Sequence, residues 1–158
     1  MKSAIKITIF IVTTFLVSGC ASQINYNDNN YEITCQGEGS DGVYLIKVYT
    51  YASNEAVALE QAKHRAIHGV MFKGLRGGNC GNKPPLCSVS YDSKKEFFDN
   101  FFLSKEYLSY TIISNDYSTL DRIKTQNGVK MGFVVTVDKN RLRKYLENNI
   151  GGAMDEIF

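Results

Sequence analysis

The sequence is poor in histidine and contains no tryptophan. Its two histidines, His64 and His68, are too few to form a zinc site, which needs three or four ligands. With only two histidines, few Ser/His/Asp catalytic triads are possible, and no motif around the serines or the acidic residues indicates one. The sequence therefore offers no catalytic residue, implies no cofactor, and indicates a protein that is not an enzyme.

An excess of charge of one sign is also missing once the N-terminal residues are set aside. The chain has 18 basic and 16 acidic residues. Lys2 and Lys6 lie in the first 19 residues, which contain no acidic residue, so residues 20–158 carry 16 of each sign. A chain without net charge has no large field to attract phosphates, so we expect no nucleic-acid partner.

Only one long apolar run is present, and it lies near the N-terminus. Residues 7–17 are apolar except for threonines and follow the basic residues Lys2 and Lys6. The run is too short to span a bilayer comfortably, since spanning takes about 20 apolar residues. A short apolar run behind a basic start is typical of a secretory signal.

The residues that follow this run, Leu16-Val17-Ser18-Gly19-Cys20, resemble the lipobox of bacterial lipoproteins. In that motif, small residues admit the lipoprotein signal peptidase, and the cysteine thiol carries diacylglycerol. The resemblance implies that Cys20 is lipidated and begins the mature chain. Alanine at position 21, where aspartate favours inner-membrane retention in enteric bacteria, points to the outer membrane. The alternative is an ordinary signal peptide with a chance cysteine.

These features divide the chain into four parts. Residues 1–19 are the predicted lipoprotein signal peptide, and residues 20–30 are a lipidated N-terminus and a polar, asparagine-rich tether. Residues 31–150 form a periplasmic or surface domain, which is long enough to bury a core of its own. Residues 151–158 are a short C-terminal tail.

The spacing of apolar residues predicts the order β-β-α-(α)-β-β-β-α. Strands are expected at residues 31–36, 43–51, 106–114, 120–126 and 129–137, and helices at 54–72, 94–103 and 139–148. Grouped strands with segregated helices indicate a single small α+β domain with an antiparallel or mixed sheet. The alanine-rich helix, ended by Gly74, would pack on one face of that sheet.

That helix carries a stripe of small residues at three- and four-residue steps. The predicted stripe, capped by Ser53, consists of Ala56, Leu59, Ala62, Ala66 and Val70. His64 and His68 lie off this stripe, so we expect them at the surface. They are half of a metal site and the only metal candidates in the sequence, but Arg65 occupies the position where a metalloprotease has glutamate.

Besides Cys20, the chain has three cysteines, and an oxidising compartment would allow a disulfide among them. Cys80 and Cys87 lie in one glycine- and proline-containing loop, so we predict that they pair, leaving Cys35 as a small buried residue. The alternative is a bridge between Cys35 and one of these two cysteines, with the other left as a free thiol.

Four phenylalanines lie on one side of the helix predicted at 94–103. Phe97, Phe98, Phe101 and Phe102 are spaced at i, i+1, i+4 and i+5. The apolar face of an amphipathic helix ordinarily packs in the protein core. An exposed set would instead be a partner-binding or membrane-touching surface, so these residues are the partner-face candidates.

The whole pattern resembles a known class of envelope proteins. An acylated cysteine is followed by a strand, an alanine-striped helix, an aromatic-rich middle, the strand Gly128–Asp138 and a short helix over 140–148. This is similar to small outer-membrane lipoproteins of the lipoprotein-20 type and to flagellar-accessory lipoproteins. The resemblance implies a non-catalytic envelope or assembly role, and only the lipidated cysteine carries over. The segment 74–92, with two cysteines and two prolines, departs from the pattern.

The sequence thus predicts a non-enzymatic lipoprotein, a binding or assembly module in the bacterial cell envelope. Its expected partners are the membrane, through the lipid, and another envelope protein or a second copy. The alternative is a ligand-binding or metal-binding lipoprotein, or an enzyme, that uses the His64/His68 side or the Cys80–Cys87 loop.

Overall fold

The structure is a computed structural model that describes residues 31–113, 121–126 and 128–150. The predicted signal peptide, Cys20, the tether and the C-terminal tail lie outside the described residues, so what was inferred for them stays a prediction. Within the described ranges, no helix combines the length and the apolar character needed to cross a bilayer.

Five strands and three α-helices follow the predicted order, which confirms a single small α+β domain. All strand pairs are antiparallel, in the order β1-β2-β5-β3, and β4 also pairs with β5. The elements are β1 (Ile33–Glu38), β2 (Val43–Ala52), α1 (Glu55–His68), α2 (Lys95–Leu103), β3 (Thr111–Ile113), β4 (Arg122–Thr125), β5 (Gly128–Asp138) and α3 (Lys139–Ile150).

The sheet has one buried and one open face because the side chains of β2 and β5 alternate between the two faces; Gly132, which has no side chain, is the one outward position of β5 that is buried. Successive strand residues point to opposite faces, so every second side chain enters the core. In these two strands the buried set is Tyr44, Ile46, Val48, Thr50, Met131, Phe133, Val135 and Val137. α1 packs on this face, where the Thr50 hydroxyl donates to the carbonyl of Ala58.

The N-terminal cap and the stripe of α1 differ from the prediction. Asn54, not Ser53, is the cap, and its side chain accepts from the backbone N–H of Val57 at 3.1 Å. The small residues that are fully buried are Ala58, Ala62 and Ala66, whereas Ala56 is exposed. At the N-terminal end of α1, the buried stripe therefore passes through Ala58 rather than through Ala56, which was predicted.

The C-terminal end of α1 widens into a π turn, Gly69–Lys73. The N–H of Gly74 donates to the carbonyl of Gly69, five residues back, at 2.9 Å. Gly74 has φ = +69°, a conformation that favours glycine, and this confirms that the helix ends there. The turn also presents the carbonyls of Val70 and Met71 to the following loop.

The segment predicted as a strand at 106–114 is mostly a 3₁₀ helix, Glu106–Tyr110, and only β3 is extended. Tyr107 and Tyr110 are both buried. Residues three apart lie on the same side of a 3₁₀ helix, so this conformation buries both rings. Their high strand propensity made the sequence look like a strand.

Candidate functional site

The two histidines lie in the core, which corrects the expectation that they are at the surface. His64 and His68 are 3% and 5% exposed, and their rings stack with centroids 6.0 Å apart. The reason is that α1 is covered on two sides, by the sheet and by an aromatic layer. That layer consists of Tyr31, Phe72, Tyr91, Phe102 and Tyr107.

Burial keeps both histidines neutral at physiological pH. Loss of solvation, with smaller effects from His68 and Arg65, lowers the pKa of His64 to about 3. Loss of solvation and nearby Lys73 lower the pKa of His68 to about 4. The Tyr31 hydroxyl and Nδ1 of His68 lie 2.6 Å apart and share a hydrogen bond. The pair is thus held as neutral imidazoles among rings.

A metal site does not form around this pair in the described part of the chain. No group of three or more histidine, cysteine, aspartate or glutamate side chains there is placed to hold a metal ion. The nearest polar neighbour of His68 is a tyrosine hydroxyl, and the nearest rings to His64 are those of Phe102 and Tyr107. The surroundings favour packing over metal ligation.

The cysteine pairing differs from the predicted Cys80–Cys87 bridge. Cys35 of β1 is bonded to Cys80, with a Cα–Cα distance of 5.7 Å, and Cys87 is a buried free thiol. This is the alternative that the sequence left open. The reason is a small hairpin, closed by two backbone hydrogen bonds of 2.8 Å between Leu75 and Lys83. Cys80 lies within it and reaches β1, whereas Cys87 lies beyond its base.

The loop around Cys80 uses its polar groups for its own structure. The Asn79 amide donates to the carbonyl of Gln36 at 2.7 Å, and the Asn82 side chain accepts from the N–H of Gly77 at 3.3 Å. Lys83 forms an ion pair with Glu38 at 2.5 Å. These contacts fix the loop along β1, so they do not favour a ligand site within it.

Cys87 has the features of a structural cysteine rather than a nucleophile. Its N–H donates to the carbonyl of Met71 at 2.9 Å, and its side chain is 6% exposed. Burial raises the pKa of its thiol to about 12, so the reactive thiolate is scarce at neutral pH.

Two neighbouring cavities meet at Phe72 and Lys73, at the π turn. One, of about 550 Å³, is lined by residues 31–34, Phe72, Lys73, Gly74 and Arg76. The other, of about 510 Å³, is lined by His68, Phe72, Lys73 and residues 87–91. Lys73 donates to the Tyr31 carbonyl at 3.1 Å, and its Nζ lies 3.9 Å from the centroid of the Tyr31 ring.

The four phenylalanines of α2 do not form an exposed partner face. Phe98, Phe101 and Phe102 are buried, and Phe97 is half-buried. Phe97 and Phe101 pack against Tyr145 of α3, with centroids 6.0 and 5.4 Å away. Their ordinary role in the core therefore accounts for them, and they are not a docking surface.

The open face of the sheet carries most of the exposed large apolar side chains. Tyr51, Ile112 and Ile123 are 61%, 70% and 56% exposed. Cross-strand partners share a face, so the pairs that link Tyr51 to Lys130 and Lys130 to Ile123 form one row. α1 packs on the opposite side, against β2 and β5. We call this the open sheet face; its side chains are Thr34, Leu45, Lys47, Tyr49, Tyr51, Ile112, Ile123, Lys130, Val134 and Thr136.

Tyrosine rings and lysines alternate at one end of the open sheet face. The Nζ of Lys130 lies 5.2 Å from the centroids of both Tyr49 and Tyr51. Lys47 forms a 2.8 Å ion pair with Asp121, and the Tyr49 hydroxyl donates to the same carboxylate at 3.4 Å. These contacts fix the positions of the rings and the cations relative to one another.

A glycine makes this arrangement fit. A Cβ at Gly132 would lie 3.0 Å from Cε1 of Tyr49 and 3.1 Å from Cβ of Asp121, closer than such contacts normally allow. The Tyr49 ring therefore lies across the bare backbone of β5. The sequence reasoning missed this face, although the period-two spacing of Leu45, Lys47, Tyr49 and Tyr51 in a strand was the signal for it.

Comparison of the chain with protein-family models, with curated proteins and with solved structures returned no match.

Proposed function

We propose that this protein is a non-enzymatic, lipid-anchored binding module of the bacterial cell envelope, and that the open sheet face holds another envelope protein. The observation that carries the proposal is that Tyr51, Ile112 and Ile123 are all exposed on the sheet face opposite α1. The lipobox at Leu16–Cys20 supports the location, most simply the outer membrane.

The composition of the face favours a protein partner. Tyrosine is enriched in protein interfaces, where one side chain supplies apolar area and a polar tip. Ile112 and Ile123 pair with β5 six residues apart, so they lie about 20 Å apart at about 3.4 Å per residue. That span suits the central patch of a protein interface better than a small ligand.

The charges on the face favour a partner other than a simple polyanion. Lys47 is already paired with Asp121, and Lys130 lies between two tyrosine rings. The predicted mature chain has as many acidic as basic residues. A partner with apolar side chains around a few polar groups fits this surface.

The sheet-face proposal predicts a selective loss of binding. Replacing Tyr51 and Ile123 together by serine should leave stability within about 0.5 kcal/mol, because both side chains are exposed. The complex extracted from membranes in mild detergent, seen by native electrophoresis, should fall at least about tenfold, or about 1.4 kcal/mol.

The matched control is Leu103→Ser, since Leu103 is 65% exposed but lies at the end of α2, away from the open sheet face. It should retain the complex. Equal losses in both variants, or wild-type protein that always migrates alone as a monomer, would contradict the proposal.

The anchor makes a separate prediction. Each acyl methylene in the bilayer contributes about 0.8 kcal/mol, so two or three chains on Cys20 hold the protein firmly. Cys20→Ser should lose the lipid mass and leave the membrane fraction, as measured by fractionation and intact mass spectrometry. Retention in the membrane with no change in mass would refute lipidation at Cys20.

A further inference from the structure

We propose a second binding site, the outer edge of β1, which accepts an extended acidic peptide as an added strand. This site is separate from the open sheet face and does not rest on it. It is built from the first cavity described above, from the backbone of β1, and from Lys73 and Arg76.

The cavity follows a strand edge rather than one face of the sheet. Its lining includes four consecutive residues, Tyr31, Glu32, Ile33 and Thr34. Consecutive side chains of a strand point to opposite faces, so a cavity that touches all four must run along the backbone. In the described chain, β1 has a strand neighbour only on the β2 side.

The remainder of the β1 edge is already covered, which defines where the site ends. A Cβ at Gly78 would collide with the carbonyl oxygen of Cys35, so the turn at 78–80 lies directly against the edge there. The Asn79 side-chain amide donates a hydrogen bond of 2.7 Å to the Gln36 carbonyl, which is therefore not available to a peptide. The Cys35 carbonyl faces outward, and backbone groups two residues apart in a strand point to the same edge. The N–H and C=O of Ile33 therefore also lie on the outer edge of β1, within the cavity.

The opposite wall of the cavity supplies apolar surface and positive charge. Phe72 and Lys73 come from the π turn that ends α1, and Gly74 and Arg76 follow it. Arg76 is exposed at the rim, whereas Lys73 is half-buried and donates to the Tyr31 carbonyl, which closes that end of the edge. Glu32 is the one acidic side chain in the lining.

The combination of a strand edge, an apolar wall and the exposed Arg76 cation selects the occupant. Main-chain hydrogen bonds to an exposed strand edge provide affinity, and alternate side chains enter the adjacent groove. Apolar side chains of the peptide would face Phe72, and a carboxylate would meet Arg76, which binds it with two parallel hydrogen bonds. An extended peptide with alternating apolar and acidic residues therefore matches the site.

The test uses the full chain in detergent and fluorescein-labelled decapeptides, with binding followed by fluorescence anisotropy. The peptide of alternating valine and glutamate should bind saturably, and the peptide of alternating valine and lysine at least tenfold more weakly. Two N-methylated versions of the glutamate peptide serve as controls, one methylated at every valine and the other at every glutamate. Alternate residues of a strand direct their N–H groups to the same edge, so each version lacks the N–H donors of one edge of the peptide. At least one should bind tenfold more weakly.

Variants of the protein locate the site. Arg76→Glu should weaken the glutamate peptide at least tenfold and strengthen the lysine peptide, whereas Lys144→Glu, the same charge change on an exposed residue of α3, should change neither. Tyr51→Ser should also bind the peptide normally, which separates this site from the open sheet face.

Three outcomes would overturn the proposal. One is equal binding of the glutamate peptide and both N-methylated versions, since strand addition needs N–H donors. Another is an equal effect of Arg76→Glu and Lys144→Glu. The third is no binding of the glutamate peptide, as expected if residues 21–30 or a second copy fill the edge.

Discussion

Lowering the pH from 7 to 5 should reduce the free energy of unfolding by about 4 kcal/mol, about 2 kcal/mol for each buried histidine. The pKa is lowered to about 3 for His64 and about 4 for His68, while the unfolded chain binds these protons near pH 6.5. Between pH 4 and 6.5 the unfolded state therefore holds more protons than the native state. Stability is complete above this window and falls as the pH decreases through it.

Urea denaturation at pH 7, 6 and 5 measures this effect. The carboxyl groups add little in that range because their ordinary pKa values are about 4. Asp99, whose pKa is lowered by Lys95 and Tyr91, acts at still lower pH. A free energy of unfolding that is constant from pH 7 to 5 would contradict the buried, neutral pair.

Two further measurements assign the effect to the histidines. His64→Gln removes one titrating group and should halve the loss between pH 7 and 5. Ring resonances of His64 and His68 in the native wild-type protein should show no titration from pH 8 to 5. The second measurement stands even if the variant folds poorly.

Removing the Cys35–Cys80 disulfide should cost about 4 kcal/mol of stability. The bridge closes a loop with a sequence separation of 45, and the chain-entropy model gives about this value for such a loop. The double variant Cys35→Ala/Cys80→Ala, made with Cys20→Ser in every protein, should therefore unfold at much lower denaturant concentration. Cys87→Ala should cost less, about 1 kcal/mol, and keep the bridge.

Mass mapping of the non-reduced protein checks the pairing directly. The peptide that contains Cys35 should be linked to the one that contains Cys80, and iodoacetamide should label Cys87 only after unfolding, because its thiol is buried and its pKa is raised to about 12. A link between Cys80 and Cys87, or rapid labelling of Cys87 in the native protein, would contradict the structure.

The fold could be predicted because its local signals agree with its packing. β5 alternates from Phe133 to Asp138, and it forms the centre of the sheet between β2 and the pair β3 and β4. α3 begins at Lys139, as predicted, and the Asp138 side chain in front of it accepts from the N–H of Arg141 at 2.9 Å. β4 pairs antiparallel with β5 as far as Thr125 and Gly128, in agreement with the strands predicted at 120–126 and 129–137; Asn127 lies outside the described residues.

The errors arose where distant segments decide the environment. A helix that is covered on both sides has no polar stripe to orient it, so His64 and His68 looked like surface residues. Nothing local shows that Phe102, Tyr91 and Tyr31 close over them. The cysteine pairing likewise cannot be predicted from the local sequence, because it depends on the hairpin between Leu75 and Lys83 that brings Cys80 to β1.

The open sheet face escaped prediction for a similar reason. A strand pattern shows that two faces differ, but it does not show which one the helices leave bare. Only the strand register places Ile112, Ile123 and Tyr51 on the same side, although they come from three different strands.

Site-specific photo-crosslinking in intact cells tests the central claim most directly. A photoreactive amino acid would replace Tyr51, Ile112 or Ile123 in the full-length chain, one at a time, and Leu103 as the matched exposed control. We expect one envelope protein to be crosslinked from all three sheet positions and not from Leu103. Crosslinking from Leu103 alone, no product from any of the three, or a product with twice the mass of the chain would contradict a face that holds another envelope protein.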